Sequence, residues 1–147
     1  MTNLTASLRL LTSALAMSLA AVPAWAQESA PAPALSLELN GAQPSEKGCR
    51  LTFVVTNNLG ADLSRAAFEI ALFNDAGVVD RLTVLDFKDL PAGKTKVTRF
   101  DLAGTNCAKV SRVLINSATE CVGTGVEPNT CMRKLKTDAK TSIAFGV

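Results

Sequence analysis

The sequence has no His and no Tyr, and its single Trp is Trp25. Without imidazole the chain lacks the side chain that titrates nearest neutral pH, the commonest metal ligand, and the usual base for a Ser or Cys nucleophile. Without Tyr, and with Trp25 in a segment expected to be removed, it lacks the flat amphipathic rings on which sugars stack and many interfaces are anchored. Nor is one charge in excess. The 15 Lys and Arg stand against 13 Asp and Glu, which argues against the concentrated basic face that nucleic-acid phosphates require.

What is present begins with an export signal. Arg9 is the lone charge of a short N-terminal region, Leu10 to Val22 is an apolar run broken by Thr12, Ser13 and Ser18, and Ala24-Trp25-Ala26 has the small-x-small pattern that signal peptidase reads. The run is shorter than the roughly 20 residues needed to span a bilayer. The reading is therefore a cleavable signal peptide over 1–26, with no stable membrane anchor after cleavage. No Cys follows the cut for lipoprotein acylation, and no Arg precedes Arg9 to make a twin-arginine pair, so the general secretory route is favoured. Removing 26 of 147 residues leaves 121, enough for one domain, and takes away one cation and no acid, leaving a net charge of +1. The expected location is the periplasm of a Gram-negative bacterium or the exterior.

All four cysteines, Cys49, Cys107, Cys121 and Cys131, lie in the mature part, where an oxidising compartment makes them disulfides with three connectivities open. Cys49–Cys107 and Cys121–Cys131 are favoured, the first tying an early strand to the end of a late one and the second closing a Gly/Pro/Asn-rich loop. Separations of 58, 14 and 10 residues do not resemble the two close pairs of a four-Cys zinc site.

Residues 27–34 form a Pro/Ala-rich tail, and 35–147 read as one domain whose apolar period is two. Leu35, Leu37 and Leu39 alternate with polar residues, as do Cys49, Leu51, Phe53 and Val55, and then Phe68, Ile70 and Leu72. Asn57-Asn58-Leu59-Gly60, Asn74-Asp75-Ala76-Gly77 and Leu90-Pro91-Ala92-Gly93 supply turns between them. Val78 to Phe87, Lys94 to Leu102 and Val110 to Asn116 read as further strands. The stretch 132–147 is open between a helix starting at Met132 and two short strands turning at Asp138. Seven or eight such strands indicate an all-β, immunoglobulin-like antiparallel sandwich stapled by disulfides.

Residues 50–102 resemble the FxLYD type of immunoglobulin-like domain of exported bacterial proteins. The pieces that carry the likeness are Leu51 to Asn58, Phe68-Glu69-Ile70-Ala71-Leu72-Phe73-Asn74-Asp75-Ala76-Gly77, with Phe73-Asn74 at the family's Tyr-Asp pair, and Leu90-Pro91-Ala92-Gly93-Lys94-Thr95 leading to Phe100. The whole chain is also similar to exported alphaproteobacterial proteins that carry a Tat-signal designation. The resemblance implies a β-sandwich and brings no catalytic residues.

The remaining chemistry is sparse. Asp75, Asp80, Asp86 and Asp89 gather around the third and fourth strands, where paired carboxylates suit glycoside cleavage or Ca²⁺, yet turn and solvated-face roles account for them. Arg133, Lys134, Lys136 and Lys140 are a basic cluster and the candidate contact surface, with an ordinary Lys-blunted sheet edge as the plain alternative. Phe53 and Phe68 belong to the core; Phe73 and Phe87 fall on the wrong parity and are assigned to the core through a bulge, with an exposed patch as the alternative. The expectation is a non-catalytic interaction or accessory module of the envelope, with no cofactor and another envelope protein as partner. A ligand or metal-ion carrier, and a small hydrolase using paired carboxylates, are the alternatives.

Overall fold

A computed structural model describes residues 30–147, so the expected signal peptide and residues 27–29 of the expected tail lie outside the described residues. Residues Pro31–Val147 form one compact unit. Its strands are β1 (Ala34–Ser45), β2 (Gly48–Asn58), β3 (Leu63–Asn74), β4 (Val79–Leu90), β5 (Thr95–Ala103), β6 (Val110–Val122), β7 (Leu135–Ala139) and β8 (Ala144–Gly146), with a single helical turn α1 (Thr130–Arg133) before β7. They make two four-stranded sheets, ordered β5-β2-β1-β7 and β4-β3-β6-β8. The fold is the expected disulfide-stapled immunoglobulin-like sandwich, with β1, β2 and β5 in one layer and β3 and β6 in the other.

The period-two pattern is realised as written. Leu35, Leu37 and Leu39 on β1, Leu51, Phe53 and Val55 on β2, Phe68, Ile70 and Leu72 on β3, and Val113 and Ile115 on β6 are all buried between the sheets. Five of the six phenylalanines share this space. Phe53 packs edge-to-face on Phe87, Phe100 and Phe145 at 5.7, 6.0 and 5.5 Å between ring centroids, and Phe87 also meets Phe100 at 5.1 Å and Phe68 at 6.0 Å. Each such pair adds about 0.5–1.5 kcal/mol beyond the area it buries.

Phe87 reaches the core through a bulge. Ala67 pairs with Asp86 and Ala66 with Lys88, leaving Phe87 as the extra residue, and Lys88 takes a left-handed φ of 63°. The Asp86 carboxylate accepts the Lys88 backbone N–H at 2.9 Å and holds the kink. Leu85, Phe87 and Leu90 are thereby all buried although a regular strand could not bury all three. Phe73 differs from expectation. It lies on the outward parity of β3, half-buried, with the Arg112 guanidinium 5.6 Å from its ring centre.

Four other expectations are corrected. β1 begins at Ala34, inside the expected tail, and β6 runs on to Val122 rather than stopping at Asn116. Asp138 lies within β7, and the turn falls at 140–143. The two C-terminal strands do not pair with each other. β7 joins β1 and β8 joins β6, both in parallel, so the connection crosses from one sheet to the other and two pairings depart from an all-antiparallel fold. Ile143, in that crossing, is buried and helps close the side of the sandwich.

Both favoured disulfides are present, with Cα–Cα distances of 5.0 Å for Cys49–Cys107 and 5.9 Å for Cys121–Cys131. On the chain-entropy account they contribute about 4 and about 3 kcal/mol. The first pins the start of β2 to the turn that carries the chain from β5 to β6. The opposite side is closed by cations on inward parity: Arg81 Nη1 donates to the Ala103 carbonyl at 2.8 Å, and Lys96 Nζ to the carbonyls of Phe87 and Asp89 at 3.1 and 3.0 Å. Lys96 thus spans the two edge strands, from β5 to β4. At the β1–β2 turn Gly48 permits close approach, since a Cβ there would overlap the Leu102 carbonyl oxygen.

Asn57 is fully buried and fully used. Its Nδ2 donates to the carbonyls of Ala61 and Leu90 at 2.9 and 2.7 Å, its Oδ1 accepts the Leu59 N–H at 3.0 Å, and its backbone bonds Lys94 and Gly93. One side chain thus locks the β2–β3 turn to the β4–β5 turn. Asn57→Ala removes the side-chain partner of one buried carbonyl, Leu90, and of the part-buried Ala61 carbonyl and Leu59 N–H, and is expected to cost about 2–4 kcal/mol in urea unfolding; a loss under about 0.5 kcal/mol contradicts this role.

Candidate functional site

The sequence-level candidates do not converge. Among the described residues no three His, Cys, Asp or Glu side chains come together as a metal site, and no cysteine is free. Asp75 pairs with Lys109 at 2.8 Å, Asp86 with Arg65 and Lys88 at 2.9 and 2.7 Å, and Asp89 with Lys96 at 3.6 Å. Glu38 and Asp138 are register partners on β1 and β7, and Lys140 reaches both, at 3.8 and 2.9 Å. Hydrogen bonds from cations hold the Asp75, Asp86, Asp101 and Asp138 carboxyls below their ordinary range. A glycosidic general acid needs the opposite, a carboxyl raised by an apolar pocket.

The basic cluster is divided as well. Lys140 is neutralised by Asp138 and Glu38. Arg133 ends the short helix, the Lys134 carbonyl accepts the Leu35 N–H at 2.9 Å, and exposed Lys136 stands on edge strand β7. The plain reading describes this arrangement well: a sheet edge carrying Lys.

The outer faces of the two sheets differ more than the charges do. On the β5-β2-β1-β7 sheet the outward residues are chiefly polar. Arg50 grips Asp101 through two hydrogen bonds of 2.9 and 3.0 Å, Thr56 meets Thr95 at 2.9 Å, and Val54 beside Val97 is the apolar exception. The β4-β3-β6-β8 sheet turns apolar residues outward. Because Leu85 and Phe87 point inward, Leu82 and Val84 point out, 56% and 51% exposed, and Val79 beside Phe73 is 49% exposed. Leu82, Ala71 and Leu114 are register partners across β4, β3 and β6 and form one apolar row. Ala71 faces outward yet is only 4% exposed, so the flanking leucines already shield it. The next row is Val79, Phe73 and Arg112.

Polar groups frame this apolar centre. Arg65 bridges Asp86 and Glu120 at 2.9 and 3.1 Å at one end, and Asn116 donates to Glu69 at 2.6 Å on the other side of the leucine row from Phe73. The sequence hid this face because Val78, Val79, Leu82, Val84 and Leu85 read as one β-rich run without alternation. The signal was Phe87: once its parity is fixed inward, Leu82 and Val84 must point to solvent.

Asp86 ties the network together, and its lowered pKa fixes a pH dependence. Arg65 foremost, then Lys88, stabilises the charged form. A folded-state carboxyl held below its unfolded value contributes stability above the unfolded pKa and loses it as pH falls toward the folded one. The stability gap between the native chain and Asp86→Asn is therefore expected to be constant above about pH 5 and to shrink steadily below about pH 4. Urea titrations at pH 7, 4 and 3 measure it, and a gap that widens on acidification contradicts the assignment. Compared with protein-family models, curated proteins and solved structures, the chain finds no match.

Proposed function

We propose that the chain is an exported, non-catalytic β-sandwich module of FxLYD-like type that works in the periplasm by protein contact, through the outer face of the β4-β3-β6-β8 sheet. The observation that carries this reading is the apolar row of Leu82, Ala71 and Leu114 with Phe73, Val79 and Val84 around it, on a sheet whose other face is already committed to the core. An antiparallel sheet with one solvated face ordinarily makes that face polar, as the first sheet here does. A contiguous apolar patch larger than a few hundred Å² with a polar rim is the usual mark of an interaction surface. The two disulfides fit an oxidising, extracytoplasmic environment. The paired, cation-bound carboxylates and the lack of His support a contact role over chemistry.

Photo-crosslinking in living cells tests this. A benzophenone side chain at Val84 is expected to give discrete protein adducts, whereas the same probe at Val97, equally exposed on the polar sheet, is expected to give few or none. Equal adducts at both positions, or none at Val84, overturn the assignment of the face.

A further inference from the structure

We infer that the partner of this face is a second copy of the same chain, docked face to face about a two-fold axis running along β3. The inference rests on the reading above and names the occupant of that surface.

Size is the first argument. Strands of 12, 12, 13 and 3 residues, about 4.8 Å apart and about 3.3 Å per residue, give a face of roughly 630 Å², within the range of a standard stable interface, which buries about 600–1,000 Å² per partner. A two-fold contact uses the whole face on both sides with no second surface required.

Charge is the second. The face carries both signs, Arg65, Lys88 and Arg112 against Glu69, Asp80, Asp86 and Glu120, so it selects neither a strongly acidic nor a strongly basic partner. Two of these charges are also separated across it. Arg112 lies on the β6 side and stacks on Phe73, while exposed Asp80 is the bulge residue beside Val79 on the β4 side. Neither makes an ion pair among the described residues. A two-fold along β3 lays β4 over the partner's β6. Leu82 then covers the partner's Leu114, and Asp80 comes beside the partner's Arg112, each contact made twice. An axis across the strands would set Leu82 on its own copy and leave both charges without an opposite.

Strand addition at the β4 edge is the competing geometry, and the fold opposes it. Lys96 already occupies the carbonyls of Phe87 and Asp89, and the Lys88 kink interrupts the edge. The axis also makes one unfavourable contact. Glu69, on β3, meets its own copy, so its charge weakens the dimer.

Sedimentation equilibrium of the oxidised protein provides the test. The expected result is a concentration-dependent dimer that Leu82→Glu weakens by about tenfold or more. Far-ultraviolet circular dichroism checks that this variant folds, and Val84→Glu replaces it if it does not. Asp80→Arg and Arg112→Asp are each expected to weaken association several-fold, the double swap to restore it, and Glu69→Gln to tighten it. A chain that stays monomeric to about 0.5 mM, or a dimer indifferent to Leu82→Glu and Val84→Glu, overturns the inference. A dimer that the double swap does not rescue overturns the two-fold along β3. If the chain is monomeric but the Val84 probe captures a different protein, this inference falls and the contact reading stands; if it captures nothing, both fall.

Discussion

The edge-to-face packing around Phe53 is the contact on which the sandwich closes. Phe53 and Phe100 come from one sheet and Phe68, Phe87 and Phe145 from the other; three of the five ring pairs, Phe53–Phe87, Phe53–Phe145 and Phe87–Phe100, cross the layer boundary, and Phe53–Phe100 and Phe68–Phe87 join neighbours within a sheet. With no Tyr or Trp in the described residues, phenylalanine supplies all the aromatic area available. It has no polar atom needing a partner, which suits a core in which Asn57 and Thr105 are the buried polar residues among those described. The bulge at Lys88 and the short strand β8 both make sense in this light. One delivers Phe87 into the cluster and the other delivers Phe145.

Charged side chains contribute here through placement more than through ion-pair energy. The pairs Lys109–Asp75, Arg50–Asp101 and Lys140–Asp138 are solvent-exposed, where screening by water and the entropy of holding two long side chains leave little net stabilisation. Arg81 and Lys96 do something different. They lie on inward parity at the open side of the sandwich and direct their donors to the carbonyls of the neighbouring edge strand. The same groups that seal the layer gap also deny those carbonyls to a foreign strand. This leaves the flat apolar outer face, rather than a sheet edge, as the surface with unmet contacts.

Much of the architecture was legible in the chain. Period-two alternation in 35–39, 49–55 and 68–72 marks strands buried on one face, and Asn-Gly-type punctuation marks their turns, because both signals are local. Disulfide pairing was also readable, since a late loop cysteine beside an early strand is what a sandwich brings together. What escaped was non-local. Whether 135–139 and 144–146 pair with each other or with opposite sheets depends on which edges β1 and β6 leave open, and no residue in 132–147 encodes that. The outward direction of Leu82 and Val84 follows from the inward parity of Leu85 and Phe87, which is set by their packing between the sheets and not by any alternation within 78–85. Of the two carboxylates that meet Lys140, Asp138 is two residues away and legible in the chain, whereas Glu38 lies about a hundred residues earlier and arrives only through the β1–β7 pairing.

The most direct test of this account compares two phenylalanines of equal size, one inside the cluster and one on the outer face. Phe53→Ala is expected to lose about 3–5 kcal/mol of stability in urea unfolding, whereas Phe73→Ala, which removes an outer-face ring beneath Arg112, is expected to lose about 1 kcal/mol or less. Equal losses at the two positions, or the larger loss at Phe73, would contradict a sandwich closed on Phe53 with an apolar face left over for a partner.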